Sequence, residues 1–303
     1  MNFKSNIPAL LITAFLFTSC TSEDKKETSK KEAVTNETTN KKENLNISIL
    51  LDLSDRIDPV KNTNPSMEFY KRDLGYIESV SKAFEKHLRS KPTRQDDDQI
   101  QIYFEPEPLN SEINDLAKNL KLSFTKDNAK IENILKISSQ YTSASREIYK
   151  LAMNDKKYVG SDIWGFFKNK VNDYCIKPNH RNILFILTDG YMFHRDSKFK
   201  QGSKSSYLTP DLVRALKLNT PNFKAIMQKN GYGFIKANDD LQNLEVVVLG
   251  INPSKGNPFE RDVINQYWTN WFTEMKVKKS IVKPADLPSN LDQVIQKYVN
   301  QNI

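Results

Sequence analysis

Short aliphatic runs alternate with longer segments of mixed polarity along most of the chain. Three runs are almost entirely aliphatic, and they lie at Ile47–Leu53, Asn182–Leu187 and Leu244–Ile251. Because the central strands of a parallel sheet are buried on both faces, such runs are typical of those strands. A fourth run, Gln99–Phe104, alternates between polar and apolar residues, which predicts a strand with one less buried face.

Apolar residues spaced three, four or seven positions apart predict helices between these strands. One such pattern extends from Tyr70 to Leu88 and another from Ile163 to Tyr174. Further helices are predicted at residues 126–138, 210–216, 258–275 and 289–299, with Pro258 in a first helical turn. Strands that alternate with helices predict an α/β fold in which a doubly wound, mostly parallel sheet carries helices on both faces.

The first twenty residues have the pattern of an export signal. Lys4 precedes an apolar core too short to span a bilayer, and small residues follow before Cys20. The ending Phe17–Cys20 resembles the lipobox of bacterial lipoproteins, in which the cysteine is lipidated, although leucine is usual where this chain has Phe17. We therefore expect a signal peptide at residues 1–19 and a lipid anchor at Cys20; a plain secretory signal is the alternative.

The segment after Cys20 has almost no apolar residues. Residues 20–45 are rich in Lys, Glu, Thr, Ser and Asn, which predicts a disordered tether. Residues 46–303 then form the predicted folded domain, with a long insertion at about 191–243. The expected location is the outer membrane or cell envelope of a bacterium, and the sequence leaves open whether the domain faces the periplasm or the cell surface.

The chain is basic, with 45 Lys and Arg against 37 Asp and Glu and a net charge of +8. The lysines are spread along the whole chain and no nucleic-acid recognition module is visible, so no nucleic-acid partner is expected. Anionic glycans, membrane surfaces and acidic proteins remain as partners that a basic exported protein would attract.

Acidic residues follow two of the predicted central strands. Asp52 comes at the end of the first aliphatic run, and Asp189 comes shortly after the second. Ligands of open α/β sheets bind beyond the carboxyl ends of the strands, so both side chains are expected at one crevice. Two buried carboxylates repel each other, and we therefore expect a positive charge between them.

Three short motifs resemble the loops of the von Willebrand factor A-type domain. They are the Asp-x-Ser of Asp52–Ser54, the Gly-Ser-Asp-Ile of Gly160–Ile163 and the Ile-Leu-Thr-Asp-Gly of Ile186–Gly190. In that family a metal-ion-dependent adhesion site binds Mg²⁺ or a similar cation. The resemblance implies that Asp52, Ser54, Ser161 and Asp189 form this site, with Ser161 in place of the usual threonine. Hydroxyl and carboxylate oxygens suit such a hard cation.

Arg56 departs from the family pattern, because it stands where the family has a second serine. Its guanidinium could pair with Asp52 and Asp189 and supply the positive charge without a metal. In the alternative, Arg56 turns outward and Asp55 or a water molecule completes the coordination of a cation. The sequence leaves both open.

Several residues also have ordinary structural interpretations. Ser161 could cap a helix, and Asp189 with Gly190 could form a turn. Cys175 is interpreted as a buried thiol, and Asp55, Asp58 and Asp96–Asp98 as solvated acids. An aromatic group at helical spacing is expected in the core, and it comprises Tyr267, Trp268, Trp271 and Phe272.

The sequence favours a non-catalytic, lipid-anchored envelope protein that binds a protein or another ligand at the top of the sheet. A metal-dependent phosphatase with Asp52 as nucleophile is one alternative, but that chemistry requires an acid at the position of Ser54. A metal-free structural scaffold is the other, and Arg56 is the residue that favours it.

Overall fold

The computed structural model describes residues 42–300; the predicted signal peptide, Cys20 and most of the predicted tether lie outside this range. Two sheets are formed by nine strands within the described residues. In chain order these are β1 (Asn44–Leu51), β2 (Asp97–Phe104), β3 (Leu122–Thr125), β4 (His180–Leu187), β5 (Lys200–Gln201), β6 (Lys204–Ser205), β7 (Gly233–Phe234), β8 (Leu244–Ile251) and β9 (Lys279–Pro284).

The main sheet has six strands in the order β3-β2-β1-β4-β8-β9. β1 lies between β2 and β4 and is parallel to both, and β8 and β9 continue the parallel arrangement. The short β3 is antiparallel to β2 at one edge. The doubly wound, mostly parallel sheet predicted from the sequence is therefore confirmed, and all four predicted strands belong to it.

Helices cover both faces of this sheet. In chain order they are α1 (Phe69–Arg89), α2 (Ser111–Asn119), α3 (Ile131–Ile134), α4 (Ile137–Asp155), α5 (Ile163–Asn169), α6 (Val171–Cys175), α7 (Pro210–Ala215), α8 (Phe223–Asn230), α9 (Glu260–Glu274) and α10 (Pro288–Asn300). No helix within residues 42–300 is long and apolar enough to cross a membrane.

Each face of the sheet has its own hydrophobic core, because successive side chains of a strand point to opposite faces. Ile183 and Phe185 of β4 pack with residues of α1, α4 and α10. Leu184 and Ile186 face the other way and pack with residues of α5 and α9, including the predicted aromatic group of α9. Cys175 is buried in this second core, and burial raises the pKa of its thiol to about 12.

The prediction of one helix at residues 126–138 is wrong. A turn follows β3, α3 has a single turn, and the long α4 begins only at Ile137. The side chain of Asn128 stabilises the turn, because it accepts the Thr125 N–H at 2.7 Å and donates to the Ser123 carbonyl at 2.9 Å. Asparagine side chains favour turns over helices by such local bonds.

Two predicted helix boundaries also differ. The pattern from Ile163 to Tyr174 forms α5 and α6, which are separated at Lys170 by a backbone φ of −127°. Pro258 lies before α9, whose N-cap residue is Phe259.

The acids at residues 96–98 do not form a solvated turn. Asp98 is buried and accepts hydrogen bonds from the Leu45 amide at 2.6 Å and the Lys91 ammonium at 2.5 Å. Asp96 is also buried, 3.8 Å from the Lys91 ammonium. Asp96 and Asp98 therefore surround a buried lysine where the solvated interpretation predicted exposure, whereas the side chain of Asp97 is half exposed and pairs with Lys177.

The segment between β4 and β8 is folded. It contains β5, β6, β7, α7 and α8, and a bridge between Met192 and Leu208 closes its first part. Leu208 and Phe234 of this segment belong to the second core. The segment therefore packs against the sheet as part of the domain.

Candidate functional site

Asp52 lies at the carboxyl end of β1 and is buried. Its amide donates to the Leu187 carbonyl at 3.1 Å, which continues the β1–β4 pairing by one residue. Its carboxylate accepts the Ser54 N–H at 2.9 Å on one oxygen and the Thr188 hydroxyl at 2.8 Å on the other. The first predicted site residue is thus held by bonds to two of the three loops that the sequence singled out.

Arg56 points inward and is buried, so the alternative in which it turns outward is wrong. Its Nε donates to the Asp52 carbonyl at 3.0 Å and lies 3.4 Å from the Asp52 carboxylate. Its Nη2 donates to the Leu187 carbonyl and to the Asp73 carboxylate, both at 2.7 Å. The guanidinium therefore joins the carboxyl ends of β1 and β4 to α1.

Asp73 and Tyr149 complete this cluster, and neither was predicted from the sequence. Asp73 is buried on α1, and the Tyr149 hydroxyl of α4 donates to its carboxylate at 2.8 Å. A signal was present, because Asp73 lies four residues before Ile77 on the apolar face of α1. An acid in an apolar helical stripe usually has a buried partner.

The charge of Arg56 is maintained by its neighbours. Burial alone would lower the pKa of the guanidinium, but the carboxylates of Asp73 and Asp52 outweigh burial and raise it above its ordinary value. Burial raises the pKa of the Asp73 carboxyl, and Arg56 opposes that rise. Arg56 is thus a permanent buried cation with two acidic partners.

Asp189 follows Thr188 at the end of β4 and is partly buried. Its carboxylate accepts the Tyr191 N–H at 3.0 Å. Burial and the negative charge of Asp52 raise the pKa of Asp189 to about 7, while Arg56 opposes the rise. The charge of Arg56 therefore does not offset the burial of the Asp189 carboxyl and its repulsion by Asp52.

Ser161 has a role that the helix-cap interpretation did not predict. Asp162 is the N-cap of α5 and accepts the Gly165 N–H at 2.8 Å. Instead, the backbone of Ser161 forms a bridge with that of Phe193. The Ser161 N–H donates to the Phe193 carbonyl at 2.9 Å, and the Ser161 carbonyl accepts the Phe193 N–H at 3.1 Å. The Ser161 hydroxyl is buried and has no hydrogen-bond partner among the described residues.

An open cleft of about 600 Å³ lies beside these residues. Ser54 and Asp55 line it from the loop after β1, and Lys156 with residues 158–160 and 193–196 forms its other sides. Its basic side chains are those of Lys61, Lys156 and Arg195, and its acidic ones are those of Asp55 and Asp196. Phe193, with 41% of its surface exposed, adds an apolar wall.

The donor groups do not fit a Mg²⁺ ion, which requires near-octahedral oxygen coordination. The guanidinium of Arg56 lies 3.4 Å from the Asp52 carboxylate that a cation would use. Within residues 42–300, no group of three or more His, Cys, Asp or Glu side chains could hold a metal ion. The hydroxyls of Ser54 and Ser161 and the carboxyl of Asp189 remain as oxygen donors, too few for a complete site.

The fold and the site define a class: an α/β protein with a doubly wound sheet and a polar cleft at the carboxyl ends of its strands. No family model and no curated protein matches the sequence.

Comparison of structures gives two distant likenesses. An aerotolerance-related membrane protein from Bacteroides fragilis is 13% identical with a TM-score of 0.35, over 84% of this chain and 98% of that one. The pilus adhesin SpaC from Lactobacillus rhamnosus GG is 9% identical with a TM-score of 0.39, over 85% of this chain and 30% of that one. At these TM-scores neither likeness indicates what this protein binds.

Proposed function

We propose that this protein is a non-catalytic, lipid-anchored binding protein of the bacterial envelope, and that its ligand occupies the cleft beside Ser54 and Arg195. The cleft is the observation that carries the proposal. It lies beyond the carboxyl ends of the strands, where open α/β sheets bind ligands. The lipobox-like ending at Cys20 supports the anchor, and the three loop motifs support a domain of the von Willebrand A type.

The ligand is an acidic group of a protein or an anionic glycan. Three basic side chains face two acidic ones along the cleft. Asp55 is already paired with Lys61 at 3.2 Å, which leaves Lys156 and Arg195 for the ligand. Phe193 offers an apolar surface beside them, and aromatic and arginine side chains often dominate binding energy.

Arg56 takes the place of the cation that the adhesion-site family would use. Its buried pairs with Asp52 and Asp73 support this assignment, because a divalent ion at Asp52 would have to displace the guanidinium or bind against its charge. The ligand is then held by the fixed side chains of the cleft, and binding requires no metal.

A charge-reversal experiment tests the cleft. Arg195→Glu combined with Lys156→Glu in the full-length protein should weaken binding to heparin or to polyglutamate at least tenfold. The matched control, Lys217→Glu with Lys229→Glu, makes the same change of net charge at exposed residues elsewhere. Equal losses in the two double variants would show that binding follows net charge, and the cleft assignment would fail.

A metal titration tests the role of Arg56. Mg²⁺ and Mn²⁺ should leave the thermal stability of the wild type unchanged, since only a ligand that binds the native state raises it. In Arg56→Ser the missing hydroxyl ligand is restored, and Mn²⁺ should then raise the melting temperature. Stabilisation of the wild type by either ion would contradict the assignment.

The anchor and the absence of catalysis need separate tests. Labelled palmitate should be incorporated into the wild type and not into Cys20→Ala. Purified protein should not hydrolyse a generic phosphate ester, because Ser54 stands where a phosphatase needs its general acid. Hydrolysis that is lost in Asp52→Asn would establish the phosphatase alternative instead.

A further inference from the structure

The outer edge of β2 is only half covered. β3 pairs with residues 97–100 of β2 and ends there. Residues 101–104 pair with β1 on their inner side, and no strand among residues 42–300 pairs with them on the outer side. The carboxyl half of β2 is therefore an open strand edge.

An open edge presents backbone groups that need partners. Alternate residues of a strand point their N–H and C=O groups to opposite sides, so alternate residues of the stretch 101–104 point theirs away from β1. Proteins usually protect such edges with charged residues or proline. β9, at the opposite edge of the sheet, follows this rule with Lys279, Lys283 and Pro284. The sequence Gln-Ile-Tyr-Phe at residues 101–104 has neither device.

A cleft of about 450 Å³ lies along this open edge. Ile102 and Phe104, which face one side of the sheet, and Gln101 and Tyr103, which face the other, all line it. Residues from both faces of one strand can line the same cleft only at the edge of that strand. Residues of α2 form one wall and Tyr174 of α6 is part of the other.

The aromatic wall is held in place. The rings of Tyr103 and Tyr174 are stacked with their centroids 5.0 Å apart. Gln101 and Tyr103 donate to the Tyr174 carbonyl at 2.9 Å and 3.2 Å. Tyr174 nevertheless keeps 40% of its surface exposed, so a rigid aromatic face is available to a ligand.

The opposite wall carries lysines at and just after the end of α2. Lys118 and Lys121 are both exposed; Lys118 is paired with Asp115 at 3.4 Å, and within the described residues Lys121 has no ion-pair partner. Lys170 also lines the cleft but is already paired with Glu105 at 2.5 Å. Glu107 and Asp173 also line the cleft, so its charges are mixed, and Lys121 is the side chain to which an acidic side chain of a ligand would be attracted.

We propose that this edge is a second binding site, which docks an extended segment of a partner protein as an additional strand beside residues 101–104. The backbone of the segment satisfies the open N–H and C=O groups. An aromatic or aliphatic side chain of the segment packs on Tyr174, and a carboxylate faces Lys121. A single strand suits the groove because helices rise on both sides of the edge. The two clefts share no lining residue, so this site is independent of the function proposed above.

The experiment uses peptides selected from a displayed random decamer library against the full-length protein. Synthetic copies of the selected peptides should contain an acid and an aromatic or aliphatic residue, and they should slow amide exchange at residues 101–104. Tyr174→Ala and Lys121→Glu should each weaken binding at least tenfold. Lys126→Glu is the control, because this lysine is exposed but does not line the cleft.

Methylation of backbone amides in a selected peptide provides a further readout. Methyl groups at alternate amides should abolish binding in one register and leave it unchanged in the other, because only alternate amides face β2. The proposal is overturned if no selected peptide depends on Tyr174 and Lys121, or if protection falls outside residues 101–104. It is also overturned if another occupant is found.

Two such occupants can be recognised. A concentration-dependent dimer that Tyr174→Ala dissociates would show that a second copy of this chain binds the edge. Protection of residues 101–104 without peptide, lost when residues 21–41 are deleted, would show that the chain's own amino-terminal segment does so.

Discussion

Asp189 lies close enough to Asp52 to make the stability of the protein depend on pH. Its pKa is raised to about 7 in the folded state and is near 3.8 when unfolded, so the folded state binds the proton more tightly. The stabilisation from this group is complete below the unfolded pKa and is lost as pH rises from about 4 through 7. Asp189→Asn, which cannot ionise, should therefore be more stable than the wild type at pH 8, by about 1 to 2 kcal/mol after allowance for partial exposure.

Urea unfolding at pH 5 and pH 8 measures this difference. The gain of Asp189→Asn should shrink at pH 5, where the wild-type carboxyl is largely protonated. Asp127→Asn, at an exposed residue, is the control for loss of one carboxylate. A variant equally stabilised at both pH values would contradict the assignment of the raised pKa to Asp189.

Asp73 neutralises a buried guanidinium, and its removal should be costly. In Asp73→Ala the guanidinium of Arg56 would lose its hydrogen-bonded carboxylate and keep the Asp52 carboxylate, 3.4 Å from its Nε, as its nearest acidic partner. Removing one partner of a buried ion pair typically costs about 3 to 5 kcal/mol. Urea unfolding should show this loss, and the double variant Arg56→Met with Asp73→Leu should lose less than Asp73→Ala alone. If the double variant is the least stable, Asp73 acts through packing and the charge argument is wrong.

The sequence could identify Asp52 and Arg56 as candidate site residues, because both follow directly after a stretch of aliphatic residues that is typical of a buried strand. It could not reveal that Arg56 pairs with Asp73, because that contact depends on how α1 packs on the sheet. The Thr188 hydroxyl bond to Asp52 likewise depends on the register between β1 and β4. That Ser54, Ser161 and Asp189 bind a ligand stays a prediction.

At the scale of elements, the bridge between Ser161 and Phe193 closes the side of the cleft. Gly160, just before it, has a φ of +91°, and a Cβ there would lie 2.5 Å from the Phe193 carbonyl oxygen. Gly160→Ala should therefore combine backbone strain with displacement of the bridge, at a cost of about 2 to 4 kcal/mol. It should also weaken ligand binding in the cleft.

Gly202→Ala is the matched control for this substitution. Gly202 has a φ of +59°, but no atom lies within 4 Å of its added Cβ. Backbone strain alone should cost about 1 to 2 kcal/mol. Chemical unfolding of the two variants separates the effects, and equal losses would show that the approach of Gly160 to Phe193 contributes nothing.

Prediction of the elements succeeded where burial makes a long, regular pattern. β8 is found at the residues predicted, because it is buried on both faces along its length. β3 was missed because its four residues at an edge are too few to show a period. α4 was missed although its apolar positions recur. The turn stabilised by Asn128 occupies the start of the helix predicted at residues 126–138, and α4 begins only at Ile137.

At the scale of the whole molecule, the folded segment between β4 and β8 shares a core with the sheet. The carbonyl of Ile235 accepts the indole N–H groups of Trp164 at 2.8 Å and Trp271 at 2.9 Å. The ring centroid of Phe234 lies 5.1 Å from that of Tyr267 and 5.3 Å from that of Trp271. We therefore expect this segment and the sheet to unfold in a single cooperative transition.

Phe234→Ala tests this expectation. Truncation of a buried phenylalanine costs about 3 to 5 kcal/mol, which lowers the melting temperature of a domain of this size by roughly 6 to 20 °C. Phe199→Ala, in the same segment but 42% exposed, should have a much smaller effect. Calorimetry should show one transition in both variants. If Phe234→Ala splits the transition in two, the segment folds separately and does not contribute its core residues to the stability of the sheet.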